Sequence, residues 1–433
     1  MEEHHKNNMN RRDFLKIVGI TTATSTAALY GCGSKEGSSE GSKVLGPIPT
    51  DKMTYRSFPG LGSDKVSILG YGCMRWPTVP APDGKGEMID QDAVNELVDY
   101  AIAHGVNYFD TAWGYHGGQS EIVLGNALKK FDRSQYYLAD KFPGYDLDNM
   151  PHVEEIFTKQ LQKCQTEYFD FYLFHNVCEK NIDAYLDPQY QILDYLLKQK
   201  EQGRICHLGF SCHGEMSVLK RFLKEYGKHM EFCQLQINYV DWKFQHAKEK
   251  VELLDEYGID VWVMEPLRGG KLAQLKPEYE SRLHALRPTE SIPAWAFRFL
   301  QSIPQVKMVL SGMSNMQQLQ ENIETWSTKK TLNDTEKEVL FSIVEEMKKK
   351  IVVPCTSCRY CTSRCPQGLD IPRLLSLYNE YAFSQGGFIA PMVVSTLKDK
   401  GPGACIQCHS CEKVCPQQIH IADVLQDFVY RLR

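Results

Sequence analysis

No apolar run in the 433-residue sequence reaches the ~20 residues that a membrane-spanning helix needs. Positive charge is not in excess either. Lys and Arg number 49 against 54 Asp and Glu, a net charge of −5, which argues against nucleic acid as the main partner. No G-x-G-x-x-G follows the first strand-like segment, which weighs against a doubly wound dinucleotide-binding sheet. No H-E-x-x-H or comparable ligand pair is present, so a barrel lyase or metal hydrolase has little support. The 15 cysteines are too dilute for a disulfide-stapled scaffold, and they are unevenly placed. What is there is ordinary globular usage, 42% apolar and 24% charged, which excludes wholesale disorder and fibrous repeats. At roughly 150 residues per domain the length suggests two or three domains.

The N-terminus reads as an address. Asn10–Lys16 (NRRDFLK) precedes Ile17–Tyr30 (IVGITTATSTAALY), a short uncharged stretch that ends at Gly31-Cys32. A basic region, a short apolar region and small residues near a cleavage point are the parts of an export signal. Arg11-Arg12 followed by Phe14-Leu15-Lys16 resembles the twin-arginine type. Leu29–Cys32 resembles a lipobox, with Cys32 as a lipid-anchor site. The expectation is an export signal over residues 1–32, a flexible linker over 33–52, and a periplasmic or membrane-anchored protein, the alternative being a cytoplasmic one.

From Met53 to about Ser327 strand-like and helix-like segments alternate. Apolar runs at Val66–Leu69, Val106–Phe109, Tyr136–Ala139, Phe169–Phe174, His207–Phe210, Phe232–Ile237, Ile259–Met264 and Val306–Leu310 suit buried parallel strands. Between them Ala93, Leu97, Tyr100, Ala101 and His104 keep helical spacing before Gly105, as do Val218–Leu223 and Leu253–Tyr257 before Gly258. Eight strands with intervening helices predict an α/β fold, a (β/α)8 TIM barrel over residues 53–328, with an open doubly wound sheet as the alternative. A connecting helix is expected over 329–351. In such a barrel chemistry sits where strands end, here Asp110, Lys141, His175, Ser211, Asn238 and Glu265.

Several stretches in order resemble the aldo/keto reductase family: Asn107–Lys129 (NYFDTAWGYHGGQSEIVLGNALK), Asp140-Lys141-Phe142, Phe169–Asn176 (FDFYLFHN), Gly203–Ser211, Gln234–Asn238, Met264–Ala273 (MEPLRGGKLA) and Ser311–Ile323. The resemblance implies a catalytic tetrad of Asp110, Tyr115, Lys141 and His175, and a nicotinamide dinucleotide, NADPH or NADH, across the barrel mouth. It implies carboxamide contacts from Ser211 and Gln234, and an adenosine-phosphate segment from Gly312 through Ser314 and Gln318 to Asn322. The residue chemistry is coherent with that. Tyrosine, with a pKa near ~10, is a poor acid in water, and a neighbouring ammonium is expected to bring it down. A carboxylate fixes the ammonium, and a histidine can hydrogen-bond the oxygen that gains charge. Two departures from the family stand out. Ser314 lies where an Arg or Lys often meets a 2′-phosphate, and Cys212-His213 lies where Asn is usual.

The tail carries the strongest signal. Cys355-x2-Cys358-x2-Cys361-x3-Cys365-Pro366 recurs as Cys405-x2-Cys408-x2-Cys411-x3-Cys415-Pro416. Two such runs describe a two-cluster ferredoxin, in which the fourth cysteine of each run ligates the other cluster. Cys355, Cys358, Cys361 and Cys415 should hold one [4Fe–4S] cluster, and Cys405, Cys408, Cys411 and Cys365 the second. Zinc knuckles need no triplet followed by Cys-Pro. A helix is expected over Ile371–Phe383, within a small helical dicluster domain at 352–433. Cys73, Cys164, Cys178, Cys206, Cys212 and Cys233 show no ligand spacing and are expected to be buried thiols. Together these features predict an oxidoreductase acting on a small carbonyl or alcohol, its electrons shared with a redox partner protein or a quinone. The alternative is an electron-transfer or scaffold protein whose barrel is not catalytic.

Overall fold

The computed structural model describes residues 51–58, 61, 65–349 and 353–433. The export signal, its Arg11-Arg12 pair, Cys32 and nearly all of the linker lie outside the described residues. Two short antiparallel strands, β1 (Tyr55–Ser57) and β2 (Lys65–Ser67), form a hairpin before the main sheet. β3 (Leu69–Gly72) enters that sheet, and β4 (Thr78–Pro80) and β5 (Glu87–Ile89) make a second hairpin after it. The sheet continues with β6 (Tyr108–Asp110), β7 (Tyr137–Phe142), β8 (Phe169–Val177), β9 (Ile205–Cys212), β10 (Phe232–Gln236), β11 (Asp260–Met264) and β12 (Val306–Ser311). β3 and β6–β12 pair in parallel and close on themselves, Leu310 of β12 lying opposite Gly70 of β3. A closed barrel rules out the open doubly wound sheet.

The strand expected at Val66–Leu69 is in fact two. Ser67 Oγ donates to the Leu69 carbonyl at 2.7 Å and the Ser67 amide donates to Asn107 Oδ1 at 2.8 Å. These bonds pin the chain where it leaves the hairpin, so only Leu69 onward joins the barrel. Phe58, from the loop between β1 and β2, plugs the barrel floor. Its ring lies 4.9 Å from His207, 5.4 Å from Phe171 and 5.8 Å from Trp262. Edge-to-face aromatic packing of this kind fills the barrel interior, at the cost of a buried Trp262 indole N–H without a hydrogen-bond partner.

The helices cover the outside. Gln91–Ala103 starts where Asp90 Oδ1 accepts the Ala93 amide at 3.0 Å, and ends ahead of Gly105, whose φ of +87° suits glycine. It buries Val94, Leu97, Val98 and Ile102 against the sheet, each contributing roughly 1.5–3 kcal/mol. Among the described residues no helix is long and apolar enough to cross a membrane. One thiol departs from expectation. Cys206, second in β9, is exposed, because it points out at the barrel's lower rim among charged neighbours (Asp170, Arg133, Glu231 and Lys200) rather than under a helix.

After the connecting helix Asp334–Lys349 the tail folds as two similar halves. Each half is a cysteine run, a short turn (Thr362–Arg364 or Glu412–Val414) and a helix (Ile371–Ser384 or Ile421–Arg431). The halves repeat in backbone conformation as well. Ser357 and Arg359 take positive φ in the first run, and Gln407 and His409 take it at the corresponding places in the second. A left-handed residue after each of the first two cysteines curls the run back on itself, so its thiols face one centre.

Candidate active site and cluster sites

Asp110 ends β6, and Lys141 lies near the end of the neighbouring β7, so parallel pairing brings their side chains together inside the mouth. Lys141, only 1% exposed, commits two of its three N–H groups, to Asp110 Oδ1 at 2.5 Å and to the Thr111 carbonyl at 2.7 Å. The remaining one bonds the Tyr115 hydroxyl, and the ammonium lies 5.1 Å from the centre of the Tyr115 ring. Desolvation is the largest influence and lowers the lysine's pKa, but Asp110, Tyr115 and Asp140 together overcome it and keep that pKa above the usual value.

Tyr115 sits in the loop after β6. Part of its ring reaches solvent, but its hydroxyl is deep. Here the sequence expectation is corrected. Burial, the largest influence, leaves the phenol's pKa above the ordinary tyrosine value, although Lys141 pulls it down. The loop is fixed by its neighbours: the Trp76 amide donates to His116 Nε2 at 3.1 Å, and the Trp76 indole donates to Ser120 Oγ at 3.0 Å. A Cβ on Gly114 would stand 2.3 Å from the Tyr145 hydroxyl, so glycine there admits the Tyr145 ring beside Tyr115.

His175, at the end of β8, lies edge-on to Tyr115 at 6.0 Å and to Tyr145 at 5.1 Å. Burial, then the nearby Lys141 charge, pushes its pKa well down, so the ring is neutral. Its Nδ1 is buried without a hydrogen-bond partner, as are Asn176 Oδ1 and His213 Nδ1. Three orphaned polar atoms at one rim mark a place for a polar ligand.

The other expected residues are distributed as follows. Gln234 gives its amide N–H to Asp110 Oδ2 at 2.6 Å, so it first supports the tetrad carboxylate. Ser211 Oγ accepts the Asn176 amide at 2.7 Å and keeps its own hydrogen to donate. Asn238 is engaged by Asp241 and its own loop. Ser314 Oγ donates to the Arg75 carbonyl at 2.7 Å, and its amide is held by Gln318 Oε1 at 2.8 Å. Asn322 Nδ2 donates to Ser311 Oγ at 3.0 Å.

Sequence reading overlooked Arg75, in the turn after β3. Its stem runs over Gly312, and its guanidinium reaches the loop after β11, 3.6 Å from where a Gly269 Cβ would stand. Gly269 and Gly270 have φ of +67° and +92°, and an added Cβ on Gly270 would meet nothing within 4 Å. Glu265 Oε2 lies 3.6 Å from the same Gly269 point, so this open, glycine-lined strip sets a cation beside a carboxylate, and Arg75 is its candidate phosphate ligand.

In the tail the thiols gather in two sets. Cys355, Cys358, Cys361 and Cys415 line one hollow of about 300 Å³. Cys365, Cys405, Cys408 and Cys411 line another of about 330 Å³. Each hollow takes three thiols from one run and the fourth from the other. Among the described residues no three His, Cys, Asp or Glu side chains converge as they would on a single ion. The thiols stand round a space, three from one run and one from the other, which fits a polynuclear cluster. The remaining lining is apolar, including Leu375 and Ile421 at the first and Leu369 and Leu425 at the second.

The two domains meet at the barrel mouth. Arg268, in the loop after β11, binds Asp241 at 3.1 Å and Glu380 of the tail at 2.7 Å, all three buried. Ser384, Gln245 and Lys271 add hydrogen bonds around it. Arg373 reaches Glu215 at 3.0 Å.

Comparison with known proteins agrees with this geometry. Residues 68–340 match the model of the aldo/keto reductase family, and residues 354–420 match that of the 4Fe-4S dicluster domain. The chain is 25% identical over 305 residues to the "Uncharacterized oxidoreductase YqkF" of Bacillus subtilis (strain 168), covering 63% of this chain and 90% of that one. It is 22% identical over 332 residues to the NADH-specific methylglyoxal reductase of Escherichia coli (strain K12), covering 67% and 98%. Among solved structures, the holo form of aldo-keto reductase AKR11C1 from Bacillus halodurans shares the fold with a TM-score of 0.53 and 24% identity, over 67% of this chain and 96% of that one. An aldo/keto reductase from Klebsiella pneumoniae in complex with NADP and acetate does so with a TM-score of 0.52 and 16% identity, over 68% and 95%.

Proposed function

The chain belongs to the aldo/keto reductase family, an oxidoreductase with a 4Fe-4S dicluster domain, and from that premise we propose that it reduces a small carbonyl compound, or oxidises the corresponding alcohol, with NADPH or NADH. Two [4Fe–4S] clusters, one per cysteine hollow, connect that chemistry to a redox partner protein or a quinone. The observation that carries the reading is the Lys141 ammonium, held between Asp110 and the Tyr115 hydroxyl beneath a rim of unpartnered polar atoms. When bound, the nicotinamide supplies hydride at carbon and the clusters supply single electrons.

The chain's own residues then have definite tasks. Tyr115 gives its proton to the carbonyl oxygen. Its high pKa keeps that proton in place until the oxygen gains charge, and Lys141 stabilises the phenolate left behind. Asp110 orients the ammonium, and Gln234 orients Asp110. Neutral His175 can donate a hydrogen bond to the same oxygen. Ser211 would meet the carboxamide. Gly312, Ser314, Gln318 and Asn322 would meet the adenosine end, with Arg75 supplying the cation that position 314 lacks.

The test is steady-state reduction of methylglyoxal and simple aldehydes with NADPH and NADH, in the native protein and in Tyr115→Phe. Loss of the general acid should lower turnover roughly 10²–10⁴-fold while cofactor binding and cluster absorption persist. Near-normal turnover in the variant would show that Tyr115 is not the acid, and no turnover in the native protein would favour an electron-transfer protein with a non-catalytic barrel. We also propose that the protein leaves the cytoplasm folded, by the twin-arginine route, and that Cys32 anchors it to a membrane. Support comes from the Arg11-Arg12 motif and from the need to load clusters before export. Replacing Arg11-Arg12 with Lys-Lys should retain it in the cytoplasm; unchanged fractionation would remove the motif's meaning.

A further inference from the structure

The tail packs against residues that neighbour the tetrad. Asn176 follows His175 directly, and its Nδ2 donates to the Met392 sulfur at 3.5 Å. His213, two residues beyond Ser211, lies edge-on to Phe388, their ring centres 5.1 Å apart. Met392 and Phe388 belong to the same turn: the Met392 amide donates to the Phe388 carbonyl, at the start of the helix Ile389–Thr396. Gly386, with φ of +92°, lets the chain double back from the docked helix Ile371–Ser384 to place this turn. Phe388 remains 50% exposed although the tail is anchored around it, so a face of its ring is uncovered. The nearby Asn176 Oδ1 and His213 Nδ1 are buried and unpartnered.

We propose that the dicluster domain supplies the second wall of the substrate pocket, through Phe388 and Met392, and that this two-domain pocket selects flat aromatic aldehydes and ketones over short aliphatic ones. The proposal rests on the carbonyl-reductase reading above and names its substrate class. On the barrel side the wall is aromatic, made by Tyr115, Tyr145 and His175. On the tail side it is an aromatic ring and a thioether. Such groups gain most from a planar ring between them, by offset stacking and sulfur–aromatic contact. An aliphatic aldehyde offers neither. The orphaned Asn176 and His213 atoms then meet polar substituents on the ring, which leaves the carbonyl free for Tyr115.

The experiment compares kcat/KM for benzaldehyde and for methylglyoxal in the native holoprotein, Phe388→Ala and Phe388→Leu, with cluster absorption as the check of folding. The benzaldehyde-to-methylglyoxal ratio should fall about tenfold in Phe388→Ala, mainly through KM, and less in Phe388→Leu, a loss of the size expected for one apolar contact. A second arm measures acetophenone binding by calorimetry on the holoprotein without nucleotide, where Kd should weaken about tenfold in Phe388→Ala. An unchanged ratio, or an unchanged Kd, overturns the two-domain pocket. If the native protein reduces neither carbonyl, the reductase reading fails. The acetophenone arm still decides the pocket in that case.

Discussion

A histidine ring set in an apolar rim gives up its proton sooner than one in water, and two such rings line this mouth. Burial, with Lys250 adding like charge, brings the His213 pKa to about 4. Gln236 opposes this with a hydrogen bond that favours the charged ring. In the unfolded chain the same ring takes a proton near pH ~6.5. The unfolded state therefore binds more protons than the folded one between those values. The stability that the neutral ring contributes is complete above pH ~6.5 and is lost as pH falls toward about 4. Between pH ~6.5 and ~5 the loss is ~2 kcal/mol. His213→Gln keeps a polar side chain without that titration, so its melting temperature should fall less than that of the native protein over this interval. Equal acid sensitivity in both would show that His213 is solvated or already charged. At this scale the sequence was informative wherever a side chain meets its partner through strand register. Asp110 and Lys141 end adjacent strands, and the resemblance and the geometry agree on them. Arg75, Tyr145 and Phe388 were not legible, because each reaches the mouth through a turn whose direction no periodicity encodes. The Tyr115 pKa was misjudged for a related reason: a sequence shows the lysine nearby and not the depth of burial that outweighs it.

Strands and helices of the barrel were readable because buried parallel strands are near-continuous apolar runs, and seven of the eight expected segments coincide with barrel strands. The exception, at Val66–Leu69, is apolar for two reasons at once, one part closing the floor and the other entering the sheet. Cysteine spacing did still better. A short linear run fixes which thiols can face one centre, and the two hollows divide the eight thiols in the crossed manner expected. The crossing has an elemental consequence. Cys415 stands beside Pro416 at the end of the second run but lines the hollow of the first. Cys415→Ser should impair the cluster of Cys355, Cys358 and Cys361, far away in sequence, and leave that of Cys405, Cys408 and Cys411 largely intact. Iron and sulfide analysis with low-temperature paramagnetic resonance on the anaerobic reduced protein would show it. Selective loss of the second cluster would mean that each run holds its own.

At the scale of the whole molecule, the seam between the domains has one buried arginine between two carboxylates at its centre. Arg268 neutralises Asp241 of the barrel and Glu380 of the tail, and its guanidinium also lies 4.7 Å from the centre of the Phe383 ring. Burial alone would favour a neutral Glu380 and does raise its pKa, with Arg268 acting against that rise. A buried ion pair adds little stability relative to an apolar contact of the same shape, yet removing one member is costly, about 3–5 kcal/mol, because the other is left unpaired. Arg268→Met removes the shared cation and leaves two carboxylates facing each other across the seam. Each domain has an apolar cluster of its own, although Phe383 of the tail packs into the barrel's, so the cost should fall mainly on their docking. The helix Ile371–Ser384 should lose hydrogen-exchange protection near its Ser384 end, while the cluster absorption and the barrel strands keep theirs. Glu380→Gln, which keeps a hydrogen bond to Arg268 and removes one charge, should loosen the seam less. If Arg268→Met instead melts the whole chain in one step, the domains form a single cooperative unit and the arginine belongs to a common core. If protection is unchanged, the apolar contacts of Phe383 with Phe244, ring centres 5.5 Å apart, hold the tail in place without it.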